Sequence, residues 1–201
     1  MKIIGLTGGS GAGKGYISEI FSRMGIECLD TDQVSRSVCQ PGTPCLAELC
    51  HTFGEGILHP DGSLDRKGLA ALAFADAEKL LCLNQITHHY ILDACRTWLE
   101  QKKRAGAAAA VIDAPQLFES GFDRECDCTA AVIAPLETRI ERIIQRDGLT
   151  REQALLRLSR QHTDEYFSAH CDYIIMNGPG DDPEVQIRNM MLTLLSPKDK
   201  P

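Results

Sequence analysis

The stretch from Lys2 to Met24 reads KIIGLTGGSGAGKGYISEIFSRM, and it changes character twice. A short apolar run, Ile3 to Leu6, gives way to the glycine-rich turn Gly8-Gly9-Ser10-Gly11-Ala12-Gly13-Lys14, after which apolar residues recur at helical spacing. This order predicts a strand, a phosphate-binding loop and a helix. Glycines let successive backbone N–H groups turn toward one anion, the helix start adds partial positive charge, and Lys14 can reach a transferring phosphate. The competing reading is a merely flexible turn. A lysine directly after the last glycine, between a strand and a helix, argues against it.

Outward from this unit, further short apolar runs end at a glycine or an aspartate and alternate with helical patterns: Ile26 to Leu29, Ala108 to Ile112, Thr129 to Ile133 and Tyr173 to Met176. With Lys2 to Leu6 they make five strands, the signature of an α/β fold with a parallel sheet in one doubly wound domain, residues 1–201. Nearly eighty residues separate the second strand from the third. That stretch reads as helices broken by the turn-rich FGEGILHPDGSLDR, residues 53–66, and is a natural substrate-binding insertion. The tail SPKDKP, residues 196–201, is expected to fray.

Several residues bear on chemistry. The position after Lys14, which commonly carries a magnesium-binding hydroxyl, is Gly15 and offers no ligand. Asp30-Thr31-Asp32 follows the second strand at its carboxyl end, where open α/β sheets bind ligands. Asp30 is the candidate helix cap, and Asp32 serves either in that cap or as the base that takes a hydroxyl proton. Asp113 ends the third strand, either orienting magnesium or forming a turn before Pro115. His88 and His89 are adjacent on a helical pattern and point about 100° apart, so chelation of one metal by both is disfavoured. The segment RIERIIQRDGLTREQALLRLSRQ, residues 139–161, carries six arginines and no lysine. Arg139, Arg142 and Arg146 fall on one helical face, either as a solvated surface paired with Glu137 and Glu141 or as a group that meets an anion.

Composition narrows the classes. A net charge of -7 removes the broad basic surface of a dedicated nucleic-acid binder. Nine cysteines form an odd set without repeated spacing, and the close pair Cys126 and Cys128 lacks zinc-site spacing, so they read as reduced and mostly buried thiols. No apolar run approaches the roughly 18 residues of a membrane span, and the opening residues break into glycine too early for a signal peptide. A cytoplasmic protein is expected.

Taken in order, GLTGGSGAGKG, DTDQVSR, the Pro-Gly between Cys39 and Thr43, FGEGILHPDGSLDR with Arg66, the helix around His88, DAPQLFESG, the arginine segment ending in RDG, Gln161 and CDYIIMN resemble the dephospho-coenzyme A kinase family over nearly the whole chain. The resemblance implies a three-layer phosphate-loop (P-loop) core, a helical coenzyme-binding insertion at 32–106 and an arginine-rich lid at 135–165. The implied reaction is phosphorylation of the ribose 3′-hydroxyl of dephospho-coenzyme A by ATP with Mg2+. Gly8, Gly9, Ser10, Gly11, Ala12, Gly13 and Lys14, with Gly15 at the end of the loop, would hold ATP phosphates, and Asn177 would lie near adenine. Lys14, Asp32 as base, and Arg139, Arg142 and Arg146 of the lid would carry catalysis. Asp32, Arg66, His88 and Asp113 would serve the acceptor. The chain departs from the family pattern at Gly15, at Gln116 where leucine is common, at His89 in place of a frequent proline, and in HTDEYF, residues 162–167, which lacks a lysine usual after the glutamine. Alternatives left by the residues are another nucleoside- or nucleotide-type P-loop kinase, and a weakly catalytic nucleotide sensor because of Gly15.

Overall fold

The computed structural model describes residues 1–196; of the tail expected to fray, Pro197 to Pro201 lie outside the described residues. Those residues separate into two compact units, Met1–Leu29 with the chain from Lys102 onward, and Asp30–Gln101.

The first unit is built on five strands, β1 (Lys2–Thr7), β2 (Glu27–Asp30), β3 (Ala109–Asp113), β4 (Cys128–Ile133) and β5 (Tyr173–Met176), in the order β2-β3-β1-β4-β5. β1 pairs in parallel with β3 and β4, and β4 in parallel with β5. Every residue of β3 and β4 is buried, as strands covered on both faces require. Alternation along the strands then selects two cores. Ile4, Leu6, Val111, Ala130 and Val132 meet Ile17, Ile20 and Phe21 of α1 (Lys14–Arg23) together with Ile187, Met190 and Met191 of the C-terminal helix Pro183–Leu195. Ala131 and Ile133, on the opposite face, meet Phe167 of the short helix Asp164–His170. The result is a three-layer α/β/α sandwich. Gly5 is required on the second face, because a Cβ there would stand 2.8 Å from Leu117 and 2.9 Å from the Cys126 sulfur.

Strand ends differ from the sequence reading by about a residue: β1 runs on to Thr7, β2 to Asp30, and β4 begins at Cys128. The β1 extension matters, since it brings the glycine loop out directly at the carboxyl end of the central strand.

The second unit carries α2 (Thr31–Val38), α3 (Pro44–Phe53), α4 (Arg66–Phe74) and most of α5 (Ala77–Arg104). Its core comprises Cys39, Cys45, Leu49, Ile57, Leu69 and Ile86. The turn-rich segment forms a tight antiparallel bridge, Leu58 to Leu64, closed by Asp61, which accepts bonds from the Ser63 N–H at 2.9 Å and hydroxyl at 2.6 Å. Asp65 then caps α4.

In the first unit, β4 leads into α6 (Leu136–Asp147) and α7 (Arg151–Leu158), which bury Ile140, Ile143 and Ala154 between them. Thr150 and Gln153 form a reciprocal capping box at the start of α7. The Asp164–His170 helix is α8 and Pro183–Leu195 is α9.

Candidate active site

The glycine loop has the shape its composition foretells. Gly8 and Gly13 adopt φ values of +139° and +98°, a region costly for any side chain, and each backs onto another element. A Cβ on Gly8 would stand 2.5 Å from the Val132 carbonyl oxygen, and one on Gly13 2.2 Å from Asn177 Nδ2. Gly13 is the N-cap of α1 and has no side chain to satisfy the first-turn N–H groups, and that turn carries no acidic residue. The positive end of the helix is therefore left available to an external anion. Lys14 Nζ folds back to donate to the Gly8 carbonyl at 3.3 Å.

Around this loop the structure gathers residues far away in sequence. Arg139 is 6% exposed; its Nε donates to the Ser10 carbonyl at 3.1 Å and its terminal nitrogen meets Asp164 at 3.0 Å. Arg142 donates to the Gly11 and Ala12 carbonyls at 3.2 and 3.1 Å and to the Asn177 carbonyl at 3.0 Å. Gln161 grips Ser10 reciprocally, its Oε1 accepting from the backbone N–H at 2.8 Å and its Nε2 donating to the hydroxyl at 3.0 Å. All three polar groups of Ser10 are thus held by residues of 135–165. Asn177, buried, donates from Nδ2 to the Ala12 carbonyl at 2.8 Å. The carbonyls of Ser10, Gly11 and Ala12 are drawn outward, while the N–H groups of Ser10 and Ala12 are held by Gln161 and the Gly9 carbonyl.

The solvated-face reading of the arginine helix does not hold for Arg139 and Arg142, and Glu137 instead makes a bidentate pair with Arg151 at 2.7 Å. Arg146 shares their face but not their partners. It lies in the last turn of α6 and chelates Asp147 at 2.8 and 2.9 Å, joined there by Arg157. Hydrogen bonding from Arg146, with Arg157 adding to it, lowers the Asp147 carboxyl to about 2.

Asp113 is 8% exposed at the end of β3 beside Leu6, and the Ser18 hydroxyl of α1 donates to it at 3.2 Å. Thr7, directly before the loop, keeps a buried hydroxyl that has no partner among the described residues. Ser18 escaped the sequence reading, although it sits one turn beyond Lys14 on the same helix. Gln161 was legible as part of a pattern, but its grip on Ser10 spans 151 positions and leaves no local trace.

In the 30–101 unit, Asp30 is the cap of α2, its carboxylate accepting from the Asp32 N–H at 2.8 Å. Asp32 occupies the exposed first turn with its own carboxylate outside that cap. Arg66, exposed, donates to the Ser35 and Arg36 carbonyls at 3.3 and 3.4 Å. His88 is half-buried on α5, while His89 is exposed and lies 3.8 Å from Asp93. Among the described residues no group of three or more His, Cys, Asp or Glu side chains is arranged to hold a metal ion.

A parallel sheet of this order, with a glycine loop and lysine between its central strand and the first helix, defines a P-loop kinase. The crystal structure of TT1252 from Thermus thermophilus shares the fold with a TM-score of 0.83 at 30% identity over 98% of each chain. The dephospho-CoA kinase from Campylobacter jejuni shares it with a TM-score of 0.70 at 23% identity over 96% of each. The model of the dephospho-CoA kinase family (CoaE) matches residues 2–182, and the chain belongs to that family. The dephospho-CoA kinase of Corynebacterium glutamicum is 38% identical over 197 residues, which span 98% of both chains.

Proposed function

We infer that this chain transfers the γ-phosphoryl group of ATP to the ribose 3′-hydroxyl of dephospho-coenzyme A, giving ADP and coenzyme A. One observation carries the reading: in a chain of this family, the start of α1 has neither a side-chain cap nor an acid in its first turn, and Lys14 stands at its first position. Phosphoryl transfer asks the protein for positioning and charge more than for covalent chemistry. Gly8 to Gly15 would bind the phosphates through backbone N–H groups. Lys14 would exchange the neutral Gly8 carbonyl for a charged phosphate oxygen, a stronger acceptor.

Arg139, Arg142 and Asn177 support that cradle from outside, holding the carbonyls of Ser10, Gly11 and Ala12. Because Asp30 provides the cap of α2, the Asp32 carboxylate is left for the proton of the attacking hydroxyl. Arg66 and His88, on the same unit as Asp32, are the candidates for contact with the acceptor.

The family implies Mg2+, and the residues present fit it in part. Gly15 supplies no oxygen, whereas the buried Asp113 carboxylate with the Ser18 hydroxyl is a hard-oxygen donor set suited to that ion directly or through water. When bound, the ion would neutralise charge on the β- and γ-phosphates. The compartment this reading implies is the cytoplasm, and no helix among the described residues is long and apolar enough to cross a membrane. Phosphorus NMR of the product tests the assignment. A new phosphate monoester on the ribose 3′-oxygen is expected, and a phosphate on any other oxygen would overturn it.

A further inference from the structure

All nine cysteines are free thiols and none is fully exposed, but two stand apart from the rest. Cys39, at the C-cap of α2, and Cys45, in the first turn of α3, bring their sulfurs to 3.7 Å within the 30–101 unit. A disulfide needs about 2.05 Å, so bonding requires the two side chains to move toward each other from this contact. The intervening segment, Gln40 to Pro44, is mostly exposed and turns at Gly42, whose φ is +85°.

We propose that Cys39 and Cys45 are a redox-modification site that reacts with low-molecular-weight disulfides to form an intramolecular disulfide.

The two thiols are not equivalent. The hydrogen bond from Cys45 holds Cys39 below the ordinary thiol range, with the Arg66 guanidinium adding to the effect against the cost of burial. The same hydrogen bond and burial push Cys45 up. Cys39 is therefore the more readily ionised nucleophile of the two, and Cys45 the resolving thiol. In the first step the Cys39 thiolate attacks one sulfur of the reagent, the reagent S–S bond breaks, and one thiolate leaves to take a proton from water. In the second, Cys45 loses its proton to water and attacks the Cys39 sulfur of the mixed disulfide, expelling the second thiolate. Two protein thiols are oxidised and one small disulfide is reduced to two thiols. Cys39 and Cys45 are 3% and 0% exposed, so the reaction requires a local opening of the chain around them. The arrangement differs from Cys126 and Cys128, where burial leads the causes that push the first up to about 12 and the second up to about 11.

The test is native-state treatment of the full chain with bis(2-hydroxyethyl) disulfide near neutral pH, then quenching by acid and alkylation for peptide mass mapping. The expected result is loss of two hydrogens in the intact protein, mapped to a Cys39–Cys45 link, and forming ~10-fold faster than modification of any of the other seven thiols. Cys45→Ser should instead trap one 2-hydroxyethylthio mixed disulfide on Cys39, and Cys39→Ser should leave Cys45 slow. Should either variant fail to fold, the wild-type map decides alone. A first link or adduct elsewhere, or modification of Cys39 and Cys45 no faster than of the other thiols, overturns the proposal.

Discussion

Arg139, Arg142 and Arg146 have near-identical sequence credentials, and alanine substitution at each should give sharply different results. Removing Arg139 deletes a charge-assisted bond to the Ser10 carbonyl and an ion pair with Asp164, whose side chain is 39% exposed. A hydrogen bond to a charged group carries about 1.5–3 kcal/mol, and the second is discounted because Asp164 can rehydrate. About 3 kcal/mol is therefore lost, which lowers Tm by roughly 6–12 °C for a chain of this size. Arg142→Ala should fall in the same range, because the Gly11 and Asn177 carbonyls lose their Arg142 bonds while Ala12 keeps only Asn177 Nδ2. Arg146→Ala should stay within about 2 °C of wild type, because the lost side chain is 62% exposed and its partner Asp147 keeps Arg157. In a coupled ADP-release assay the first two should lose ~10²-fold in kcat/KM for ATP, and Arg146→Ala less than about 3-fold. Arg139→Lys should not restore activity, since a single ammonium cannot serve two diverging partners. A largest defect at Arg146, or wild-type behaviour at Arg139 in both measurements, would refute the view that these arginines hold the loop.

Three further outcomes follow from the same geometry. Asp32→Asn should lower kcat by roughly 10²- to 10⁴-fold with little change in KM for ATP, and wild-type turnover would remove Asp32 from the mechanism. Gly15→Ser should be tolerated, because a Cβ there meets nothing within 4 Å, and it should gain a few tenths of a kcal/mol in helix propensity and reduce the magnesium needed for half-maximal rate; superimposable titrations would make the missing hydroxyl irrelevant. The depressed Asp147 carboxyl is a contribution present above the ordinary value of 3.8 and lost as pH falls through about 2. The Tm difference between wild type and Asp147→Asn should therefore be constant near neutrality and close in that acid window, and a difference that persists below it would contradict the pairing.

The loop and the five strands were legible because they are local: a glycine run between an apolar strand and a helix has one inexpensive geometry. The cap was legible for the same reason, as Asp30 acts within two residues. What the sequence hid is the support behind the loop. Ser10 meets Gln161, Arg139 meets Ser10 and Asn177 meets Ala12 across more than a hundred positions, so only the folded sheet order brings them together. Helical periodicity correctly put three arginines on one face, yet periodicity says nothing about what a face meets along its length. The first turns of α6 lie against the loop, and its last turn ends beside Asp147.

Acceptor identity is decided by ADP release from ATP and magnesium with dephospho-coenzyme A, adenosine and the nucleoside monophosphates compared at equal concentration. Turnover with dephospho-coenzyme A and little with the others is the outcome expected of this chain. A nucleoside monophosphate consumed as fast or faster, or ATP bound without turnover of dephospho-coenzyme A, would contradict it.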